Sequence, residues 1–303
     1  MKNLAICLLI IGHSGILSGQ HMTQNITSYG ENAGTQSNRG AFFGYNTGTV
    51  ATGDENTFFG DDTGVRTTTG AYNVFIGSLV AYNNTSGESN TFVGRGSGYQ
   101  NRTGDWNSFF GRGSGLSNST GNNNVFLGAQ AGYYNSNGNN NVYIGNGSGK
   151  ESTDGSNNVY LGNQAGWFET GSNKLIIDNS STRTPLIYGD FSTNQLGINT
   201  NTIPVGYDFA VEGKIIAEEI RVQIKANWPD YVFKSDYELP NLAEVENQIR
   251  EKGHLVDIPN AKTVQANGIE LGDMNARLLK KIEELTLYII EQNKRIEALE
   301  RQN

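Results

Sequence analysis

Catalysis needs side chains that move protons, attack as nucleophiles or hold metals, and this sequence is poor in them. It has one cysteine, Cys7, and three histidines, of which only His21 and His254 lie beyond the first 20 residues. A His/Cys metal site and a Ser-His-Asp triad both need more than this. Asp61-Asp62 is the best local carboxylate pair for acid–base work, but adjacent side chains diverge and no other segment repeats the pair. His254 follows a predicted helix end, where a lone histidine usually serves as a structural hydrogen-bonder. The turns lack aspartate at the regular positions a calcium-binding repeat requires, and they lack the flat file of one residue type that ice binding needs. The expectation is therefore no catalytic residue, no metal and no cofactor: not an enzyme. A fibre-borne polysaccharide-degrading enzyme and an ice- or calcium-binding β-solenoid are the weaker alternatives.

Whatever such a chain does, it does through surfaces, so the elements that build them matter. "NVFLGAQAG" (124–132), "NVYIGNGSG" (141–149) and "NVYLGNQAG" (158–166) follow one another at a fixed interval of 17 residues. Upstream stand "NTFFGDDTG" from Asn56, "NVFIGSLVA" from Asn73, "NTFVGRGSG" from Asn90 and "NSFFGRGSG" from Asn107. "GAFFGYNTG" from Gly40 is an earlier copy at a spacing of 16, and "NKLIIDNSS" from Asn173 reads as a decayed last copy at a spacing of 15. A fixed period with atypical ends signals a solenoid with capping repeats. Each unit predicts one short strand whose middle residue is aromatic: Phe58, Phe75, Phe92, Phe109, Phe126, Tyr143 and Tyr160. Strand side chains alternate, so the middle residue points to one face and its two neighbours to the other. A strand apolar on both faces must be covered on both. A coil of about 17 residues encloses only a thin core, which predicts that one face meets other copies of the chain. Glycine suits tight turns, asparagine suits the same turns and hydrogen-bonded ladders, and proline is absent from the array.

Strings such as "NNVFLG" resemble the head repeats of trimeric autotransporter adhesins, over about 39–178. The family has a shorter period and a smaller middle residue than these Phe and Tyr. The resemblance implies a trimeric parallel β-roll.

Charge and proline divide the chain. All five prolines follow the repeats, and 31 of the 52 charged residues lie in 207–303. "TPLIYGDFSTNQLGINT" (184–200) and "YDFAVEGKIIAEEIRVQI" (207–224) predict short strands and turns, the second alternating through "KIIAEEIRV". It resembles the β segment before the intramolecular chaperone of phage tail fibres. Self-cleaving versions carry a lysine shortly after a Ser-Asp pair; Ser235-Asp236 is followed by Tyr237-Glu238-Leu239, which implies no autocleavage. The segment 227–300 closely resembles a C-terminal region of Bacteroidota surface and tail-fibre-like proteins, with His254-Leu255-Val256 where that family has His-Leu-Pro. A helix is predicted from about Leu242 to Lys252, stopped by Gly253.

From Asn275, Leu278, Ile282, Leu285, Ile289, Gln292, Ile296 and Leu299 occupy the a and d positions of a heptad repeat. Ile at a with Leu at d favours two strands. "RIEALE" instead places Arg295 before Ile296 and Leu299 before Glu300, matching a trimerisation pattern in which arginine packs over the core and pairs with a neighbour's glutamate. Gln292 suits a wider, polar trimer layer, and with the repeats also asking for an oligomer, three chains are expected.

At the start, "MKNLAICLLIIGHSGILSGQ" reads as a secretory signal peptide cut near Gly19–Gln20. Its apolar run, Leu4 to Ile11, is too short to span a bilayer. The formal net charge of -8 and the lack of a basic cluster argue against nucleic acid as a partner. The organisation expected is a signal peptide (1–19), an N-terminal segment (20–38), the array (39–180), a β-rich neck (181–226), a small α/β module (227–270) and a trimeric coiled coil (271–303). The fold class is mainly β, a homotrimeric parallel β-roll or β-solenoid with a small mixed α/β neck. The function expected is that of a secreted or cell-surface homotrimeric fibre, an adhesin or a tail or surface-assembly component. It would act as a stiff rod that presents a surface to a glycan or cell-surface ligand, with no direct membrane span.

Overall fold

A computed structural model describes residues 26–37, 39–223 and 228–302. The signal-peptide reading, Cys7 and His21 lie outside the described residues. The chain forms two units that meet in sequence between Ile215 and Ile216.

The first unit is mainly β, a parallel solenoid that puts one short strand per coil into a single sheet. The strands are β1 (Thr27–Tyr29), β2 (Ala41–Phe43), β3 (Thr57–Phe59), β4 (Val74–Ile76), β5 (Thr91–Val93), β6 (Ser108–Phe110), β7 (Val125–Leu127), β8 (Val142–Ile144), β9 (Val159–Leu161) and β10 (Lys174–Ile177). Each is hydrogen-bonded in parallel to the next. The register places the middle residues over one another: Phe58 on Phe75, Phe92 on Phe109, Phe126 on Tyr143, Tyr143 on Tyr160. All seven aromatics are fully buried inside the chain's own coil. From Phe58 to Tyr160 the rings form one column, with centroids 4.6 to 5.2 Å apart and planes within 14° of parallel. A twisted sheet would splay such rings; continuous stacking accompanies a flat one.

Two glycines show why the motif keeps them. A Cβ on Gly145 (φ 136°) would stand 2.1 Å from the carbonyl oxygen of Gly162, its counterpart in the next coil. A Cβ on Gly132 (φ 58°) would stand 2.4 Å from the Phe126 ring. The first permits coil-on-coil contact, and the second makes room for the aromatic column.

The array's ends differ from expectation. It begins earlier than residue 39, because β1 pairs with β2 and puts Ser28, not an aromatic, over Phe42. At the other end β10 is shifted by one residue. Tyr160 faces Ile176, so the step is 16 residues rather than 15, and Ile176 is the buried end of the column. A slip of one residue would have exchanged the two faces of the strand.

After β10 the direction reverses. β11 (Ile187–Asp190) and β12 (Gln195–Ile198) are antiparallel additions, and β13 (Phe209–Val211) lies parallel to β12. Lys174 opposes Asp190 in this register, and their side chains form an ion pair at 2.5 Å. The strand expected through "KIIAEEIRV" is a correction: residues 214–222 form no strand, and Ile216 is fully exposed. Among the described residues no strand is paired with that segment, and an unpaired alternating sequence has no reason to stay extended.

The second unit starts with a short 3-10 helix, Pro229–Phe233, followed by α1 (Leu242–Lys252), α2 (Ala261–Asn267) and α3 (Leu271–Glu300). Asn241 and Glu244 form a capping box on α1, which ends at Gly253 in the left-handed conformation, as the sequence predicts. The 3-10 helix packs on α3. The Tyr237 hydroxyl donates to Glu284 Oε1 at 2.5 Å, that of Tyr288 donates to the Pro240 carbonyl, and Lys280 pairs with Asp257 at 2.8 Å. These contacts tie the small module to one side of α3.

Candidate functional site

The seven repeat-core aromatics are brought together, and they are internal. What the strands present outward is the residue on either side of them. Phe59, Ile76, Phe110, Leu127 and Leu161 follow the buried aromatic in successive coils and remain 37% to 58% exposed. Val93 and Ile144 hold the same register position. Phe43 and Phe59 touch at 6.0 Å along this file. One chain thus carries a continuous apolar stripe along its sheet, longer than the scattered apolar side chains usual on a surface.

A second array, a buried ladder of asparagines, fixes the coils' spacing. The side-chain amide of Asn124 donates to Asn107 Oδ1 (3.2 Å) and to the Gly138 carbonyl (2.7 Å), while its own Oδ1 accepts the backbone N–H of Asn141 (3.0 Å). The pattern recurs at Asn73, Asn90 and Asn141. These side chains are fully buried. Each saturates backbone groups that three-residue strands leave unpaired, which is why the motif keeps asparagine rather than aspartate or leucine.

The residue before each ladder asparagine lies in the left-handed region, as does Arg39 before Gly40 in the first copy: Arg39, Glu55, Tyr72, Ser89, Trp106, Asn123, Asn140 and Asn157 have φ between 54° and 59°. Asparagine tolerates this conformation; other L-residues pay about 1–2 kcal/mol for it. The last coils use asparagine, whereas Tyr72 and Trp106 do not, and these two residues are 55% and 63% exposed. Sequence reasoning missed this row, because its backbone conformation is invisible until the coil is closed. The recurring asparagine just before the ladder asparagine was the available signal.

On α3 the heptad residues Leu278, Ile282, Leu285, Ile289, Ile296 and Leu299 are between 46% and 65% exposed. Gln292, Arg295 and Glu300 are exposed too. Glu283 and Glu284 are the buried positions of this helix, facing the small module instead. A helix with six half-exposed Leu and Ile side chains in one heptad pattern has an uncovered seam.

Groups with catalytic potential stay scattered. Asp62 accepts a hydrogen bond from Asn46 (2.9 Å) within a turn-to-turn chain that starts at Asn32. His254 Nδ1 lies 3.0 Å from the carbonyl of Leu255 and is solvent-facing, and Ser235 and Asp236 are exposed. Among the described residues no group of three or more His, Cys, Asp and Glu stands close enough to hold a metal ion, and no helix is long and apolar enough to cross a membrane. In comparisons with known proteins, no family model, no curated protein and no solved structure matches the chain.

Proposed function

We propose that this chain is a secreted, homotrimeric fibrous protein of the adhesin or tail-fibre type, a stiff rod that presents a binding surface rather than an active site. The observation that carries the reading is the pair of uncovered apolar files, the outer stripe of the β-solenoid and the heptad seam of α3. Both belong to repeating elements, and each is covered economically by the same element of further copies of the chain. Arg295 and Glu300 then pair between neighbouring chains at the end of the helix and select three strands over two. The relation to trimeric autotransporter adhesins and tail-fibre-like proteins enters on the sequence resemblance, and export on the N-terminal run.

Light scattering on the purified protein at micromolar concentration tests this. A mass three times that of the chain is expected, and a stable monomer would overturn the reading.

A further inference from the structure

Within the solenoid, Tyr72 and Trp106 occupy the same register position two coils apart. We propose that these two residues form a platform for an extended, neutral β-linked polysaccharide, which lies along the stacked coils with its sugar faces against the two rings. The proposal rests on reading the array as a binding rod and says where and what it binds.

Strain is the first argument. Both residues have φ 58°, a conformation that bulky L-residues rarely adopt and that collects at functional positions. The coil imposes this conformation at every step of the row, on Arg39, Glu55 and Ser89 as well; Asn123, Asn140 and Asn157 are the residues that take it with least strain, and a bulky aromatic is the costliest choice. Neither aromatic contributes to the core, since each residue is more than half exposed.

Rigidity is the second. The Tyr72 N–H donates to the Asp54 carbonyl (2.9 Å), that of Ser89 to Ala71 (2.9 Å), that of Trp106 to Glu88 (3.1 Å) and that of Asn123 to Asp105 (3.0 Å). The backbone beneath the rings is therefore held coil by coil, as a preorganised site requires. With about 4.8 Å between neighbouring strands, the two backbone positions that carry the rings stand roughly 10 Å apart along the stack. Ser89 between them is small and leaves the gap open. Two sugar units of an extended β-1,4 chain repeat over a similar length, so alternate units would meet a ring. Aromatic faces suit the apolar C–H faces of pyranoses and cost little ordering on binding.

Charge selects the class of glycan. Glu88 and Asp105 flank Ser89 and Trp106 in sequence, and Asp54 precedes Glu55 in the same row. Glu55 is the one of these paired with a base, to Arg39 at 2.8 Å. Asp105 Oδ1 accepts the Glu88 N–H at 2.8 Å, while the Glu88 carboxylate has no partner among the described residues. Carboxylates beside an aromatic accept hydrogen bonds from hydroxyls and repel anions. An anionic glycan or a nucleic acid is disfavoured here.

Isothermal titration with cellohexaose and chitohexaose, with polygalacturonate as the anionic comparison, tests the proposal on the full chain. One or both neutral oligosaccharides are expected to bind the wild type. Trp106→Asn and Tyr72→Asn should each weaken that binding at least tenfold while raising the melting temperature, because asparagine relieves the strain that the aromatics impose. Equal affinity in wild type and Trp106→Asn, tighter binding of polygalacturonate, or no binding of either neutral probe would overturn it. Light scattering on the same samples separates the two readings. A trimer that binds no sugar removes this proposal alone, a monomer removes the rod, and a Trp106→Asn variant that falls from trimer to monomer makes this row a subunit contact instead.

Discussion

The rings of Tyr143 and Tyr160 stack 4.6 Å apart and 2° from parallel, yet only one of their hydroxyls is hydrogen-bonded. Tyr143 meets Ser152 Oγ at 3.0 Å, whereas the Tyr160 hydroxyl is buried without a partner among the described residues. Burial pushes the Tyr143 phenol up to about 12, against the opposing pull of Ser152, and raises Tyr160 beyond the usual range of a tyrosine. Replacing each by phenylalanine should therefore have opposite effects. Tyr143→Phe abandons Ser152 and should cost about 0.5–1.5 kcal/mol; Tyr160→Phe removes an unsatisfied buried group and should stabilise by about 1 kcal/mol. Denaturant titration of the two variants checks the sign.

In the middle of the column, Phe109 lies between Phe92 and Phe126 at 4.6 and 4.7 Å. Phe109→Ala leaves a hole that a close-packed stack of rings cannot close, and should cost about 3–5 kcal/mol. Phe110→Ala next to it changes a partly exposed side chain and should leave the solenoid's own stability nearly intact. Similar losses for both would contradict the internal placement of the column.

The asparagine ladder gives a separate prediction. Asn124→Leu would leave the Gly138 carbonyl and the Asn141 N–H buried without partners, each costing about 1–3 kcal/mol. Asn123→Gly, one residue earlier, keeps the left-handed backbone and should be close to neutral. Thermal melts of the two variants should differ by many degrees.

How much of this was legible in sequence depends on what each residue had to satisfy. The period and the buried middle position were readable because an aromatic every 17 residues has no use except stacking. The end of α1 was readable because Gly253 is the residue a left-handed cap asks for. The one-residue shift at β10 was not. Asn173 looks like the ladder asparagine but sits in the left-handed position with φ 61°, and the N–H of Lys174 instead completes the ladder to Asn158. Two adjacent positions that both favour asparagine cannot be told apart until their hydrogen bonds are seen. β1 escaped notice because Ser28 replaces the aromatic. The segment 214–222 has the strand's alternation but lacks the partner that would make it one.

Acid should loosen the junction between β10 and β11. The Lys174 hydrogen bond, with help from Ser192, lowers the Asp190 carboxyl to about 2. A depressed carboxylate contributes stability above its unfolded pKa near 4 and loses it as pH falls toward 2. Burial opposes the charge on Lys174, but its bond to Asp190 prevails and leaves it raised. Stability measured from pH 5 to pH 2 should fall by about 2 kcal/mol more in the wild type than in Asp190→Asn. Equal slopes would show that the pair does not couple to folding.

Assembly should depend on both apolar files. Ile289→Asp with Ile296→Asp places charges in the heptad seam, and Leu127→Lys with Ile144→Lys places them in the outer stripe; burying unpaired charge costs several kcal/mol per site. Each pair of changes is expected to shift sedimentation from trimer toward monomer. A native trimer in both double variants would refute the proposed packing.

Because successive 17-residue coils present a stacking aromatic, a ladder asparagine and a glycine after the strand to the coils above and below, a segment cut out between equivalent positions restores the contacts it interrupts. Removing residues 108–124 joins Asn107 to Val125 and lays Phe126 on Phe92 in the manner of its neighbours. The gene of such a protein can gain or lose units by unequal recombination with little effect on folding. Its reach would then change in steps of about 4.8 Å, the thickness of one strand, which makes length the property selection can adjust most freely.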